Sequence, residues 1–323
     1  MRVSEWKSES QMALVTRRRV GVFKIFRDWL KQSSIVFLAF YVTLRFLNAM
    51  PLRVGRLIGF LGGTLAYYID LKNVRRGLNN LAAAFPEKSD TYRRRVLKDC
   101  YRHLGICLVE ACHFRTASAE WLLSDWIVRD SESEKVMEAA LAEGKGIICV
   151  SAHAGFWELT GFIFPSMGYP CVCIANRLAA PQINEVIRRI RTRLGNEIVE
   201  QEGALIHILR GLKEKKTVGI IMDHWGKSKS PEIPFFGRRT RTIDTVARLY
   251  IKTGAPIITS MMFRQSDGRY YWYCRRIQIP DSTSLSTQDR VNEILALCNL
   301  EIELAIRKYP EQWTWMHNRW RNS

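Results

Sequence analysis

Gly146-Ile147-Ile148-Cys149-Val150-Ser151-Ala152-His153-Ala154-Gly155-Phe156-Trp157-Glu158 is a short apolar, β-branched run that halts at a glycine-containing turn and resumes as a helix-like stretch. A continuous apolar, β-branched run predicts a strand over Gly146 to Ser151, and the following pattern predicts a helix beginning near Phe156. His153 therefore stands where a strand ends, the place where α/β sheets collect their functional groups.

The same unit recurs downstream. Cys171 to Ala175 reads as a strand, Pro181 to Leu194 as a helix opened by proline, and Glu197 to Val199 as a short strand. Leu205 to Lys213 is helical, Thr217 to Met222 is a strand ending at Asp223, and Asp244 to Lys252 is a helix stopped by Thr253-Gly254-Ala255-Pro256. Ile257 to Met262 and Tyr270 to Ile279 form strands around an Asp267-Gly268 turn, and Val291 to Lys308 closes the chain with a long helix. Upstream, Tyr92 to Phe114 carries apolar residues at helical spacing. Strand and helix alternation of this kind specifies an α/β fold, a central sheet flanked by helices. No internal repeat interrupts it.

The first 70 residues differ. Arg17, Arg18 and Arg19 precede an amphipathic segment, Val20 to Leu30, and an apolar run from Ile35 to Leu44 follows. Extending that run to Leu52 approaches the length of a membrane span only by accepting Arg45 and Asn48, so a helix lying in the interface is an equal reading. A second apolar stretch, Leu57 to Tyr68, carries Gly59, Gly62 and Gly63 and is suited to pack against the first. The division expected is residues 1–70 as basic, apolar anchoring helices and 71–323 as the functional domain. No cleavable signal peptide is visible.

Charge narrows the partners. Lys and Arg number 49 against 31 acids, a net charge of +18 that attracts phosphates, anionic lipid surfaces and acidic proteins. Nucleic acid shares that chemistry, but no helix-turn-helix, zinc-finger or RNP pattern accompanies the charge. The eight cysteines form no CxxC pair and sit largely in apolar runs, which reads as buried thiols. The histidines lack ligand spacing, so no metal is expected, and no glycine-rich loop offers a nucleotide site.

A histidine at a strand end can remove a proton from a hydroxyl. A carboxylate five residues on, Glu158, could reach its other ring nitrogen, fix the tautomer and stabilise the imidazolium. Hydrogen-bonded structural histidines at strand ends are equally compatible with the spacing alone.

These residues resemble a known family. His153 and Glu158 fit the His-x4-Asp/Glu signature of glycerolipid-type acyltransferases, and their surroundings resemble the late acyltransferases of lipid A biosynthesis, the lauroyl and myristoyl transferases. Arg76, Asn80, Leu81, Ala84, Phe85 and Pro86, then Tyr101 to Gly105 with Glu110, are similar to the family's entry segment and the helix after it. Gly219 to Asp223 with His224, Ile233 to Gly237, Thr253 to Pro256 and Pro310 to His317 follow in the family's order, so the resemblance covers about residues 35–320.

The resemblance implies a membrane-associated O-acyltransferase on the cytoplasmic face of a bacterial inner membrane. It would move a fatty acyl chain from an acyl-carrier protein or coenzyme A thioester to a lipid hydroxyl, without a cofactor. His153 would be the base, Glu158 its partner, and no acyl-enzyme is implied. Arg177 resembles an arginine that binds phosphate or stabilises the oxyanion. Asp223 matches a position held to support the site, with helix capping or an ion pair as its alternative use. Arg188 and Arg189, in the run that includes Arg191 and Arg193, would face lipid headgroups or the carrier protein, or form a solvated face; Trp157 would contact substrate, and Phe235 and Phe236 would line the acyl groove, sit at the membrane interface or pack in the core.

The chain departs from the family at Phe156, where Asn is common, at Gln201 and Glu202, where basic residues are common, and near Thr245, where a glycine is missing. These are phosphate-facing and substrate-positioning places, so they bear on the acceptor rather than on the base. A catalytically idle scaffold of the same fold would have little reason to keep both His153 and Glu158.

Overall fold

The architecture was obtained as a computed structural model describing residues 34–169, 171–201, 203–226, 229–281 and 284–321. Arg17, Arg18, Arg19 and the Val20 to Leu30 segment lie outside the described residues. Three helices lead in: α1 (Ser34–Ala49), α2 (Leu52–Ile69) and α3 (Leu71–Ala84), followed by the long α4 (Asp90–Phe114). The apolar run from Ile35 to Leu52 is not one helix. It breaks at Met50-Pro51, because proline cannot donate to the helical ladder and serves instead as the cap of α2. No helix among the described residues is long and apolar enough to cross a membrane.

Glycine sets how closely α2 and α4 cross. A Cβ on Gly59 would stand 2.5 Å from the Gly105 carbonyl oxygen, and one on Gly63 would stand 2.2 Å from that of Tyr101. Gly62, one residue away, faces open space. Gly63→Val is therefore expected to lose about 1–3 kcal/mol or more in urea unfolding, through overpacking against backbone that cannot yield. Gly62→Ala should match or slightly exceed the wild type.

The central sheet has seven strands in the order β1-β9-β8-β2-β5-β3-β4. These are β1 (Ile127–Val128), β2 (Ile147–Ser151), β3 (Cys171–Ala175), β4 (Glu197–Glu200), β5 (Thr217–Ile221), β8 (Ile257–Arg264) and β9 (Tyr270–Arg276). All neighbours pair in parallel except β8 with β9. The helices α5 (Ser131–Ala142), α6 (Trp157–Ser166), α7 (Pro181–Thr192), α8 (Ala204–Lys213), α9 (Thr245–Thr253) and α10 (Thr287–Lys308) follow in chain order.

Successive side chains of a strand point to opposite faces, and β2 is buried on both. Ile148 and Val150 join one core cluster with Val172, Val218, Ile257 and the face of α10, while Ile147 and Cys149 join a second with Leu159, Phe162 and Trp272. This double coverage explains why β2 reads as a continuous apolar run rather than an alternating one. All eight cysteines are free, seven of them buried.

Sequence periodicity missed several pieces. β1 is only two residues long and pairs with β9, and α5 spans a charged stretch whose buried residues are few. The antiparallel hairpin β6 (Glu232–Phe235) and β7 (Arg238–Arg241) forms a separate two-stranded sheet around a turn with Phe236 and Gly237 at positive φ. Sheet edges and hairpins with mixed polarity carry a weak periodic signal.

Candidate active site

His153 leaves the end of β2 on a turn that only glycine can make. Gly155 sits at φ +59°, where a Cβ would stand 1.9 Å from the Met262 carbonyl oxygen. The turn is clamped on both sides: Phe156 donates its N–H to Met262 at 2.7 Å, and Gly155 donates to the Gln312 carbonyl at 2.6 Å. Thr314 donates both its N–H and its hydroxyl to the His153 carbonyl, at 3.1 and 3.0 Å. The main chain at His153 is thereby held from the C-terminal segment, 161 residues away in sequence.

The partner of the imidazole is Asp223. Its Oδ1 lies 2.8 Å from His153 Nδ1, and its Oδ2 accepts the His153 backbone N–H at 2.8 Å and the Trp313 indole N–H at 2.9 Å. The Asp223 side chain is fully buried. A carboxylate can only accept, so Nδ1 carries the hydrogen and Nε2 is left with its lone pair.

The charges reinforce one another. Burial by itself would depress the His153 pKa, but the charge and hydrogen bond of Asp223, helped by the field of Glu158, hold it above the ordinary imidazole value. Burial would likewise raise Asp223, yet the His153 ring and the Trp313 donor bring its pKa far below the usual carboxylate range.

Glu158 does not hold His153. Its carboxylate accepts two hydrogen bonds from Arg191, at 2.9 and 2.5 Å. The expected contact with the histidine ring is absent for a local reason. Glu158 sits in the first turn of α6, on the side facing α7, while Nδ1 of His153 faces the end of β5. Proximity in sequence pointed to a carboxylate that the fold pairs with Arg191 instead.

Two further histidines, unpaired with His153 by any sequence spacing, meet it in space. His224 places Nε2 3.2 Å from His153 Nε2, and the His317 ring centroid is 4.7 Å from that of His153. One ring nitrogen from each of the three lies within 4.8 Å of the others. Burial lowers the pKa of both companions, His317 to about 4, and repulsion from His153 adds to the effect. The histidines judged scattered in sequence are therefore a cluster in the fold.

The cluster opens onto a cavity of about 930 Å³. His153, Trp157, Glu158, Arg191 and His224 stand at its polar part, and Phe162, Phe164, Ile174, Ile220, Leu205 and Ile208 are among its apolar lining. Gly219 is also part of that lining. Trp157 packs edge-on against the His153 ring at 5.3 Å.

Other expected positions lie elsewhere. Phe235 and Phe236 do not line the cavity; they are buried in the core, stacked among Trp313, Trp315, Trp320 and Phe85. The β6–β7 hairpin folds them inward, because two adjacent aromatic rings cost less buried against tryptophans than exposed. Arg188 and Arg189 share the Glu185 carboxylate on the outer surface of α7, and Arg177 is 65% exposed, 4.0 Å from Glu200. Arg191 is the member of the arginine run that reaches the cavity.

The sequence model of the family described as bacterial lipid A biosynthesis acyltransferase matches residues 24–322 of this chain. The chain belongs to that family. As a member of the bacterial lipid A biosynthesis acyltransferases it is an acyltransferase. It is 27% identical to the lipid A biosynthesis palmitoleoyltransferase of Escherichia coli over 252 residues, 75% of this chain and 76% of that protein. It is 25% identical to the lauroyltransferase of the same organism over 248 residues, covering 75% and 77%, and 20% identical to the myristoyltransferase over 275 residues, covering 84% and 80%.

The expected family is thus the observed one, and its separated sequence blocks acquire a structural purpose. Asn80 donates to the carbonyls of Trp315 and His317, at 2.7 and 2.8 Å, and Arg76 donates to that of Met316. Arg319, fully buried, donates to the His224 carbonyl at 2.8 Å. The entry segment and the C-terminal block of this acyltransferase meet directly around the histidines.

Proposed function

We propose that the protein transfers a fatty acyl chain from an acyl-carrier protein or coenzyme A thioester to a hydroxyl of a lipid A-like or related glycolipid acceptor. His153 acts as the general base. The observation that carries this reading is a single one: an imidazole whose Nδ1 is bound to a buried carboxylate lines a cavity with a largely apolar wall.

The acceptor hydroxyl approaches Nε2 of His153, replacing the contact with His224. As the oxygen attacks the thioester carbon, its proton passes to Nε2, and Asp223 stabilises the imidazolium. Collapse of the tetrahedral adduct expels the thiol, and the proton on Nε2 returns to the leaving sulfur. Thiol, ester and neutral base are the products, and no acyl-enzyme is required. The acyl chain lies in the apolar cavity. Arg191, held by Glu158, offers a planar donor group for a phosphate or a carbonyl oxygen at the cavity mouth. Arg177, Arg188 and Arg189 form an outer positive field that favours an acidic carrier protein or anionic lipid.

The surface of the lead-in helices supports work at a membrane. Ile35, Leu38, Val42 and Phe46 follow one another along α1, and Leu57, Leu61, Leu65 and Tyr68 along α2, all exposed, with Ile35 at 71%. Stripes of large apolar side chains on a basic protein fit a helix pair lying in the interface of an anionic bilayer. On this reading the chain is held at the cytoplasmic face of the inner membrane, where thioester donors are found.

The test presents a lipid A precursor with free hydroxyls in anionic vesicles to the full-length protein, with a series of acyl-carrier-protein and coenzyme A thioesters. The expected result is co-flotation of protein with vesicles and a mass gain of one acyl chain on the glycolipid, analysed by mass spectrometry. Thioester consumption with no acylated glycolipid would refute the acceptor class.

A further inference from the structure

We propose that His153, His224 and His317 form a binding site for a divalent transition metal of the zinc type, and that the metal-bound enzyme is inhibited. The metal site rests on geometry alone, and the inhibition rests on the reading of His153 as base.

Zinc bound by imidazole has Zn–N distances of about 2.0–2.1 Å and tetrahedral angles, which places neighbouring ligand nitrogens about 3.3–3.4 Å apart. His153 Nε2 and His224 Nε2 are 3.2 Å apart, and the three rings supply nitrogens within 4.8 Å of one another. Binding would draw the His317 nitrogen, which lies within the same 4.8 Å, toward the other two. His224 is exposed, so a fourth position is open to water.

The surroundings resemble those of a metal ligand set rather than three rings in casual contact. The buried Asp223 carboxylate on Nδ1 of His153 directs the Nε2 lone pair into the cluster, the carboxylate–histidine–metal arrangement that raises ligand basicity and fixes ring orientation. Each ligand's main chain is pinned by a separate side chain: His153 by Thr314 and His224 by Arg319, both of the C-terminal segment, and His317 by Asn80 of α3. A site held this firmly loses little freedom on binding.

An all-nitrogen set selects for zinc, copper, nickel or cobalt over magnesium and calcium. Arg319, Arg321 and Arg76 are cations whose charge reaches the rings, and Arg319 and Arg76 are engaged with carbonyl oxygens. Coordination takes the lone pair of His153 Nε2, the same lone pair that would receive the hydroxyl proton. Metal and acceptor therefore compete.

The experiment titrates chelator-treated, full-length protein with Zn²⁺ by equilibrium dialysis and with Co²⁺ by absorption spectroscopy, alongside acyl-transfer assays. One equivalent of metal is expected, with a Co²⁺ spectrum lacking thiolate charge transfer, and with inhibition following the same midpoint as binding. His317→Gln and His224→Gln should each weaken binding at least tenfold, and Asp223→Asn about 10–100-fold. No stoichiometric binding, binding indifferent to the loss of both His224 and His317, or a thiolate band from Cys171 and Cys173 would overturn the site. Binding by the three rings with undiminished acyl transfer would overturn the inhibition and with it the role of His153 as base. An inactive His153→Ala enzyme whose parent binds no metal would remove the metal site and leave the base standing.

Discussion

His153→Ala is expected to lower kcat/KM for acyl transfer by about 10²–10⁴, the range that a positioned general base contributes. The ring is the only feature lost. The main chain at this residue is held through its own N–H to Asp223 and through its carbonyl to Thr314, and neither bond needs the imidazole. Folding should therefore persist, although Asp223 loses the ring that helps to offset the cost of burying its charge. Steady-state kinetics with the preferred thioester and glycolipid measure the loss, and a circular dichroism melt checks the fold. A well-folded variant retaining more than about a tenth of wild-type activity would show that another group takes the proton.

Asp223→Asn and Glu158→Gln separate the two carboxylates near the base. Asp223→Asn keeps the shape but removes the charge, and its amide can turn its own NH₂ toward Nδ1 and force the wrong tautomer. A fall in kcat of about 10²–10⁴ is expected, with KM little changed, because the lost interaction grows as the imidazolium forms. Glu158→Gln should act more weakly, within about tenfold, and chiefly on KM, because Glu158 positions Arg191 at the cavity mouth rather than the imidazole.

The pH profiles carry an independent sign. As the proposed base, His153 works only when Nε2 is unprotonated, and Asp223 raises its pKa above the ordinary value by favouring the charged ring. Wild-type activity should thus rise with pH through a midpoint above the ordinary imidazole value of about 6.5. In Asp223→Asn that limb should move to lower pH while the plateau falls. A larger drop and a larger shift in Glu158→Gln would return the orienting role to Glu158.

Much of the fold was legible before any coordinates. The strand Cys171–Ala175 coincides with its sequence expectation, and the helices begun by Pro181 and ended by Gly254 are bounded close to where their breakers stand. Of the pieces not legible, β1 and the β6–β7 hairpin depend on a neighbouring strand or on a tryptophan cluster for their stability, and α5 is a charged stretch with few buried residues. Asp223 was within reach of a sequence argument. In a parallel pair with Ser151 opposite Ile221, the residues two places beyond each strand end, His153 and Asp223, fall side by side. That register requires knowing that β2 and β5 are neighbours, and their separation of 70 residues hides it.

Sequence alone determined the alternation of strand and helix, the place of His153 at a strand end and the family of the chain, because periodicity, breakers and motif order are properties of consecutive residues. Only the tertiary structure decided which carboxylate serves the imidazole, that three histidines share one cluster, and that Phe235 and Phe236 are core rather than cavity wall. Those outcomes depend on which distant segments the sheet and the C-terminal block bring together. A hydrogen bond or a ring contact is decided over a few ångströms of space, whatever the distance along the chain.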